Sequence, residues 1–158
     1  MSEMEAQGME DARPSWDEIY IDMARLVARR STCPRLACGA VIVSSEHQVL
    51  ATGYNGSPRG EPHCSDVGCL MESGHCVRSV HAEMNAILQC ARLGISLKGS
   101  TLFCTHRTCI RCATAIAQAG IIEVVYQHSY DTDNLTDFVT TRLESAGIRQ
   151  RWLEDGSV

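Results

Sequence analysis

At 158 residues the chain has the size of one ordinary domain, with no room for a second. Hydrophobic residues at 44% and charged residues at 21% exclude a disordered or fibrous chain. A net charge of −5 argues against a nucleic-acid binder that relies on a broad basic surface, while a small anionic ligand held by a few local arginines stays open.

Residues 1–13 read as a disordered acidic tail, without the positive and apolar regions of a signal peptide. No apolar run approaches the ~18 residues of a membrane span, so the expected location is cytoplasmic. Ser15-Trp16-Asp17-Glu18 has capping-box spacing, and Ile19, Met23, Leu26 and Val27 follow at helical intervals, predicting a helix over about 16 to 30. Two short strands, 39–43 and 49–54, form a predicted hairpin through Ser44 to Gln48. From Asn55 to Val80 the chain is rich in Gly, Pro, Cys and His without periodicity, too long for an unsupported loop. A second helix runs from His81 to Leu93 with Gly94 as its stop, followed by a strand at 101–105 and a third helix from Cys109 to Ala119 ended by Gly120. Residues 121–126 predict a strand buried on both faces. Asp133 is positioned to cap a fourth helix through about Ser145, and 148–153 is a final short strand before a tail at 154–158. The order α-β-β-α-β-α-β-α-β over a single domain, 14–153, predicts a three-layer α-β-α sandwich around a mixed five-stranded sheet.

Nine cysteines need a reason. In a reducing compartment, metal ligation explains clustered thiols better than a disulfide framework does, and nine is odd. Cys109 and Cys112, one helical turn apart at a helix start, present two sulfurs together where the helix dipole favours thiolates. His81 makes a third ligand, leaving a tetrahedral metal one position for water, the arrangement of a catalytic site. Glu83, two residues on, is placed to carry protons. Cys38, Cys90 and Cys104 fall in or beside predicted elements where a small apolar residue is ordinary, and read as core.

His81-Ala82-Glu83, with Cys109 28 positions later, resembles the H-x-E…P-C-x-x-C signature of zinc deaminases. One letter departs: Thr108 stands where the signature has Pro, with a hydroxyl that can cap the helix instead. Arg30-Ser31-Thr32-Cys33, Gly39-Ala40-Val41-Ile42-Val43, Gly53-Tyr54-Asn55-Gly56-Ser57-Pro58, His81-Ala82-Glu83-Met84-Asn85-Ala86-Ile87 and Cys109-x-x-Cys112 together resemble deoxycytidylate (dCMP) deaminases of the bacterial and phage two-zinc type, across about residues 16 to 150.

The resemblance implies a cytidine-deaminase-like fold and hydrolysis of dCMP to dUMP and ammonia, supplying the precursor of thymidylate. Zinc held by His81, Cys109 and Cys112 lowers the pKa of its water, and Glu83 shuttles the proton to N3 of cytosine and then to the departing amine. Ala82 N–H is expected on the pyrimidine O2, Asn55 on a sugar hydroxyl, the backbone at Thr108 near the exocyclic amine, and the Tyr130 ring on the base. For Asn55 a plain turn, and for Tyr130 a surface ring, stay open. Arg59, Arg78, Arg107 and Arg111 are phosphate candidates. A second, structural zinc would pin the long loop through Cys33, Cys64, His75 and Cys76, with Cys69 in reserve. His63 is expected to face solvent and His106 to border the site. The resemblance also implies a homo-oligomer, a hexamer favoured, with dCTP and Mg2+ as activator and dTTP as inhibitor. Another cytosine nucleotide or a tRNA adenosine as substrate, or a non-catalytic zinc-stabilised interaction module, remain alternatives.

Overall fold

The structure, a computed structural model, describes residues 13–130 and 135–154. The predicted tails at 1–13 and 154–158, apart from Arg13 and Glu154, and the expected Asp133 cap lie outside the described residues. Helix α1 (Trp16–Ala28) starts on the expected capping box: Glu18 N–H donates to Ser15 Oγ at 3.2 Å and Ser15 N–H to Glu18 Oε2 at 2.6 Å. It ends two residues before the predicted 30, as tightened turns carry the chain through Arg29, Arg30 and Ser31.

Strands β1 (Gly39–Val43) and β2 (Val49–Tyr54) form the hairpin. The segment predicted as a long loop holds a one-turn helix α2 (Cys64–Val67) and a two-residue hairpin, β3 (Met71–Glu72) and β4 (His75–Cys76). Such small units give no periodic signal. There follow α3 (Ala82–Leu93), β5 (Thr101–His106), α4 (Ile110–Ala119), β6 (Glu123–His128), α5 (Thr136–Ser145) and β7 (Arg149–Trp152). Strand β6 sits two residues later than predicted. Ile121 is buried in the connection before it, whereas polar Gln127 and His128 extend the ladder, with His128 opposite His106.

The sheet order is β2-β1-β5-β6-β7, antiparallel on both sides of β1 and parallel through β5, β6 and β7, as expected of a mixed five-stranded sheet. Both faces are covered. Tyr20, Ile21 and Ala24 of α1 meet Val41, Val43, Phe103 and Val125 on one face. On the other, Ala82, Ala86 and Cys90 of α3, Cys112, Ala113 and Ile116 of α4, and Val139 and Leu143 of α5 meet Ala40, Ile42, Leu102 and Val124. Two glycines set the spacing. A Cβ on Gly39 would stand 1.9 Å from the Ala24 carbonyl oxygen of α1, and one on Gly53 would stand 2.1 Å from the Ala82 carbonyl oxygen of α3. Close approach of α3 to β2 brings the start of that helix to the carboxyl ends of the parallel strands, where open α/β sheets bind ligands.

Candidate active site

His81 is the N-cap of α3 and Cys109 the N-cap of α4, so the two helix starts meet through these side chains. His81 Nδ1 lies 3.3 Å from Cys109 Sγ and 3.6 Å from Cys112 Sγ. A tetrahedral zinc at ordinary bond lengths places nitrogen and sulfur ligands about 3.6 Å apart, so this donor set fits the ion. Cys112 N–H donates to Cys109 Sγ at 3.5 Å, making the cysteine sulfur the helix cap. Hydrogen bonding from Cys112, and then from His81, holds the Cys109 thiol down at about 4 against the effect of burial. The same hydrogen bond, together with burial, pushes the Cys112 thiol up, and a bound metal would displace its proton.

Glu83 lies in the first turn of α3, only 5% exposed, and no ion pair to it appears among the described residues. Burial pushes its carboxyl up, His81 opposes, and the Cys109 thiolate adds to the rise. A buried carboxyl pushed up, beside a metal-binding triad, suits proton transfer.

These groups open into a cavity of about 420 Å³, in the range of small-molecule sites. Asn55, Ala82, Tyr130 and His106 line it as expected. Asn55 Oδ1 accepts from Cys38 N–H at 2.8 Å and Nδ2 donates to the Leu36 carbonyl at 2.7 Å, which leaves one N–H and one lone pair for a ligand. Thr108 is buried between Arg107 and Cys109, which both line the cavity, and its hydroxyl does not cap α4, because the Cys109 sulfur does.

Two cysteines read as core pack with the core cluster and also reach the site. Strand β1 runs antiparallel to β5, so the residue before β1 lands beside the end of β5. Cys38 therefore lines the cavity with Sγ 3.4 Å from His106 Nδ1, and burial, with Glu83, pushes its thiol up to about 12. Cys104 is buried in the core and also lines the cavity, and Cys90 is core as expected. Of the four phosphate candidates, Arg107 lines this cavity and donates to the Thr136 carbonyl and Thr140 Oγ1. Arg78 pairs with Glu61 at 3.2 Å, Arg111 lines an adjoining cavity, and Arg59 a separate one. Arg35 was missed. It lines the cavity and donates to the Gly74 carbonyl at 3.4 Å, and its place between Cys33 and Cys38 was the available signal.

The second cluster comprises Cys64, Cys69 and Cys76, whose sulfurs lie within 4.8 Å of one another. The reserve Cys69 takes part, and Cys33 and His75 stand outside the group, lining the cavity. The 3.7 Å between Cys64 and Cys76 sulfurs matches the roughly 3.8 Å of two thiolates on one tetrahedral zinc. Against the opposing effect of burial, the backbone N–H groups of Ser79 and Arg78 hold the Cys76 thiol down at about 7. His63 is exposed, as expected. No helix among the described residues is long and apolar enough to cross a membrane.

The profile of the cytidine and deoxycytidylate deaminase zinc-binding region matches residues 14–128. ComE operon protein 2 of Bacillus subtilis is 44% identical over 142 residues, which cover 90% of this chain and 73% of that protein. The deoxycytidylate deaminase of Schizosaccharomyces pombe is 38% identical over 88% of this chain, which spans only 44% of the yeast protein. Among solved structures, the dCMP deaminase of cyanophage S-TIM5 in complex with dCMP and dUMP superposes with a TM-score of 0.76 at 35% identity, covering 89% of this chain and 98% of that one.

Proposed function

Because the chain belongs to the cytidine and deoxycytidylate deaminase family, we propose that it converts dCMP and water to dUMP and ammonia. The observation that carries this reading is the buried Glu83 beside the His81, Cys109 and Cys112 triad, because a purely structural metal site needs no such carboxyl. His81, Cys109 and Cys112 would hold a zinc ion, which when bound supplies a Lewis acid that brings the pKa of a coordinated water towards neutrality.

Glu83 accepts the proton of the attacking water as its oxygen bonds to C4 of cytosine, and delivers that proton to N3. It then moves the remaining hydroxyl proton to the exocyclic nitrogen, and the C4–N bond breaks to release ammonia. Ala82, at the free amino end of α3, offers its N–H to the pyrimidine O2. The spare capacity of Asn55 serves a sugar hydroxyl, and Tyr130 packs against the base. Arg107 and Arg35 are the cations of this cavity available to a 5′-phosphate.

A second zinc on Cys64, Cys69 and Cys76 would hold the β3–β4 strap, whose Gly74, His75 and Cys76 wall the cavity. Cys33 would supply the fourth ligand, since Ser65 N–H donates to the Thr32 carbonyl at 3.1 Å and draws that segment alongside α2. A separate cavity of about 650 Å³ beside α3, lined by Arg59, His63 and Arg92, has the charge and room for dCTP, with Mg2+, or dTTP. Exposed Leu88 and Leu93 on α3 suit a homo-oligomer, a hexamer on the family resemblance, working in the cytoplasm.

The test is ammonia release from zinc-loaded protein offered dCMP, CMP, dCTP, 5-methyl-dCMP and deoxycytidine. Preferential turnover of dCMP is expected. Turnover confined to another compound would replace the substrate assignment.

A further inference from the structure

His106 ends strand β5 and lines the catalytic cavity. Its Nδ1 lies 3.0 Å from Thr105 Oγ1 and 3.4 Å from Cys38 Sγ. Thr105 is buried and its Oγ1 already accepts the Gly39 N–H at 3.1 Å, so the hydroxyl proton needs an acceptor, and His106 Nδ1 is the partner the structure gives it. The protonated Cys38 thiol is a second donor towards the same nitrogen. In a neutral imidazole one nitrogen accepts and the other carries the proton, so these neighbours put the proton on Nε2. The ring of His128, its centroid 5.0 Å away, and burial both favour the neutral form. Nε2–H has no hydrogen-bond partner among the described residues.

Arg107, the next residue, lines the same cavity and is held from behind: its Nη2 donates to the Thr136 carbonyl and to Thr140 Oγ1 of α5. Its Nε is buried without a partner. Buried donors left unpaired are costly and uncommon, so this one calls for a ligand. Two consecutive residues thus offer donors that lack acceptors, one of them on a cation. A phosphate oxygen accepts several hydrogen bonds and donates none, and a guanidinium matches it in charge and shape. The pair also sits on the right side of the cavity. Cys38 N–H donates to Asn55 Oδ1 at 2.8 Å while Cys38 Sγ touches His106, so the pair adjoins the residue assigned to the sugar.

We infer that His106, through Nε2–H, binds the 5′-phosphate of the substrate together with the Arg107 guanidinium, and that His106 is thereby a specificity-determining residue that selects nucleotides over nucleosides. The substrate half of this inference rests on the reading that the cavity takes dCMP.

The experiment has two arms on zinc-loaded protein. In the first, nitrogen NMR of the His106 ring in wild type and Arg107→Gln is followed as inorganic phosphate is added. The expected result is a proton on Nε2 and a bare Nδ1, with a phosphate-dependent shift at Nε2 that weakens in Arg107→Gln. A proton on Nδ1, or an Nε2 signal indifferent to phosphate, would overturn the assignment. In the second, kcat and KM for dCMP are compared in wild type, His106→Leu, which removes the donor, and His106→Gln, whose amide N–H replaces it. KM should rise about tenfold or more in His106→Leu with kcat little changed, and return most of the way in His106→Gln. An unchanged KM, a loss confined to kcat, or equal losses in the two variants would overturn the role. A wild type that leaves dCMP unchanged while Nε2 responds to phosphate would overturn the dCMP reading and support the phosphate site.

Discussion

Replacing Gly53 with alanine tests whether the approach of β2 to α3 sets the site. The added Cβ would stand 2.1 Å from the Ala82 carbonyl oxygen and 2.7 Å from the Ala86 nitrogen, both backbone atoms that no side-chain rotation can move. Restoring ordinary contact at 3.4 Å requires α3 to retreat by about 1.3 Å. Overpacking of this kind costs about 1–3 kcal/mol, and for a domain of this size each kcal/mol lowers Tm by about 2–4 °C. Because α3 starts at His81 and carries Glu83, the displacement should also disturb catalysis, where a shift of about 1 Å can cost about a hundredfold. Gly56→Ala is the comparison, since the nearest atoms to its Cβ belong to the Thr32 side chain, with Oγ1 at 2.6 Å, rather than to backbone. Thermal unfolding and dCMP turnover of the two variants should show a large loss in both for Gly53→Ala and a smaller one for Gly56→Ala. Wild-type Tm and kcat in Gly53→Ala would refute the packing argument.

Cys69→Ser should lower bound zinc by one per chain and destabilise the strap, whereas His75→Ala should leave zinc content unchanged; elemental analysis of the purified variants checks both. Glu123 accepts from Arg149 at 2.6 Å and Arg151 at 2.8 Å, and Arg151 also pairs with Asp17 on α1, which ties the last strand to the first helix. Although burial pushes the Glu123 carboxyl up, the hydrogen bonds from Arg151 and Arg149 win and hold it below its ordinary 4.5. Its contribution to stability is therefore present above that value and fades as pH falls through the folded-state pKa. Glu123→Gln should be less stable than wild type at pH 7, with the gap narrowing in acid; denaturant midpoints measured at both pH values would expose an unchanging gap as a contradiction.

Much of the fold was readable because its signals are local. The Ser15 and Glu18 capping box, the stops at Gly94 and Gly120 and the apolar runs of β1 and β6 each act within a few residues. The Cys109 and Cys112 pair was readable for the same reason, since N-cap and first-turn positions are set by helix geometry, whereas joining His81 to it across 28 positions rested on the resemblance to the zinc-deaminase signature. What sequence reasoning missed depends on long-range pairing. Cys38 joins the site only because β1 runs antiparallel to β5, and Arg35 because its segment reaches the strap at Gly74. The grouping of Cys69 with Cys64 and Cys76 depends on the short turns of α2 and the β3–β4 hairpin, too small to show a period.

The most direct test of the account is formation of dUMP from dCMP by zinc-loaded wild type and Glu83→Gln, with bound zinc measured in both. Glu83 is not one of the triad, so the account predicts full zinc content in the variant and a rate lower by about a thousandfold. A variant that keeps the wild-type rate, or that loses zinc together with activity, would contradict the assignment of Glu83 as the proton carrier.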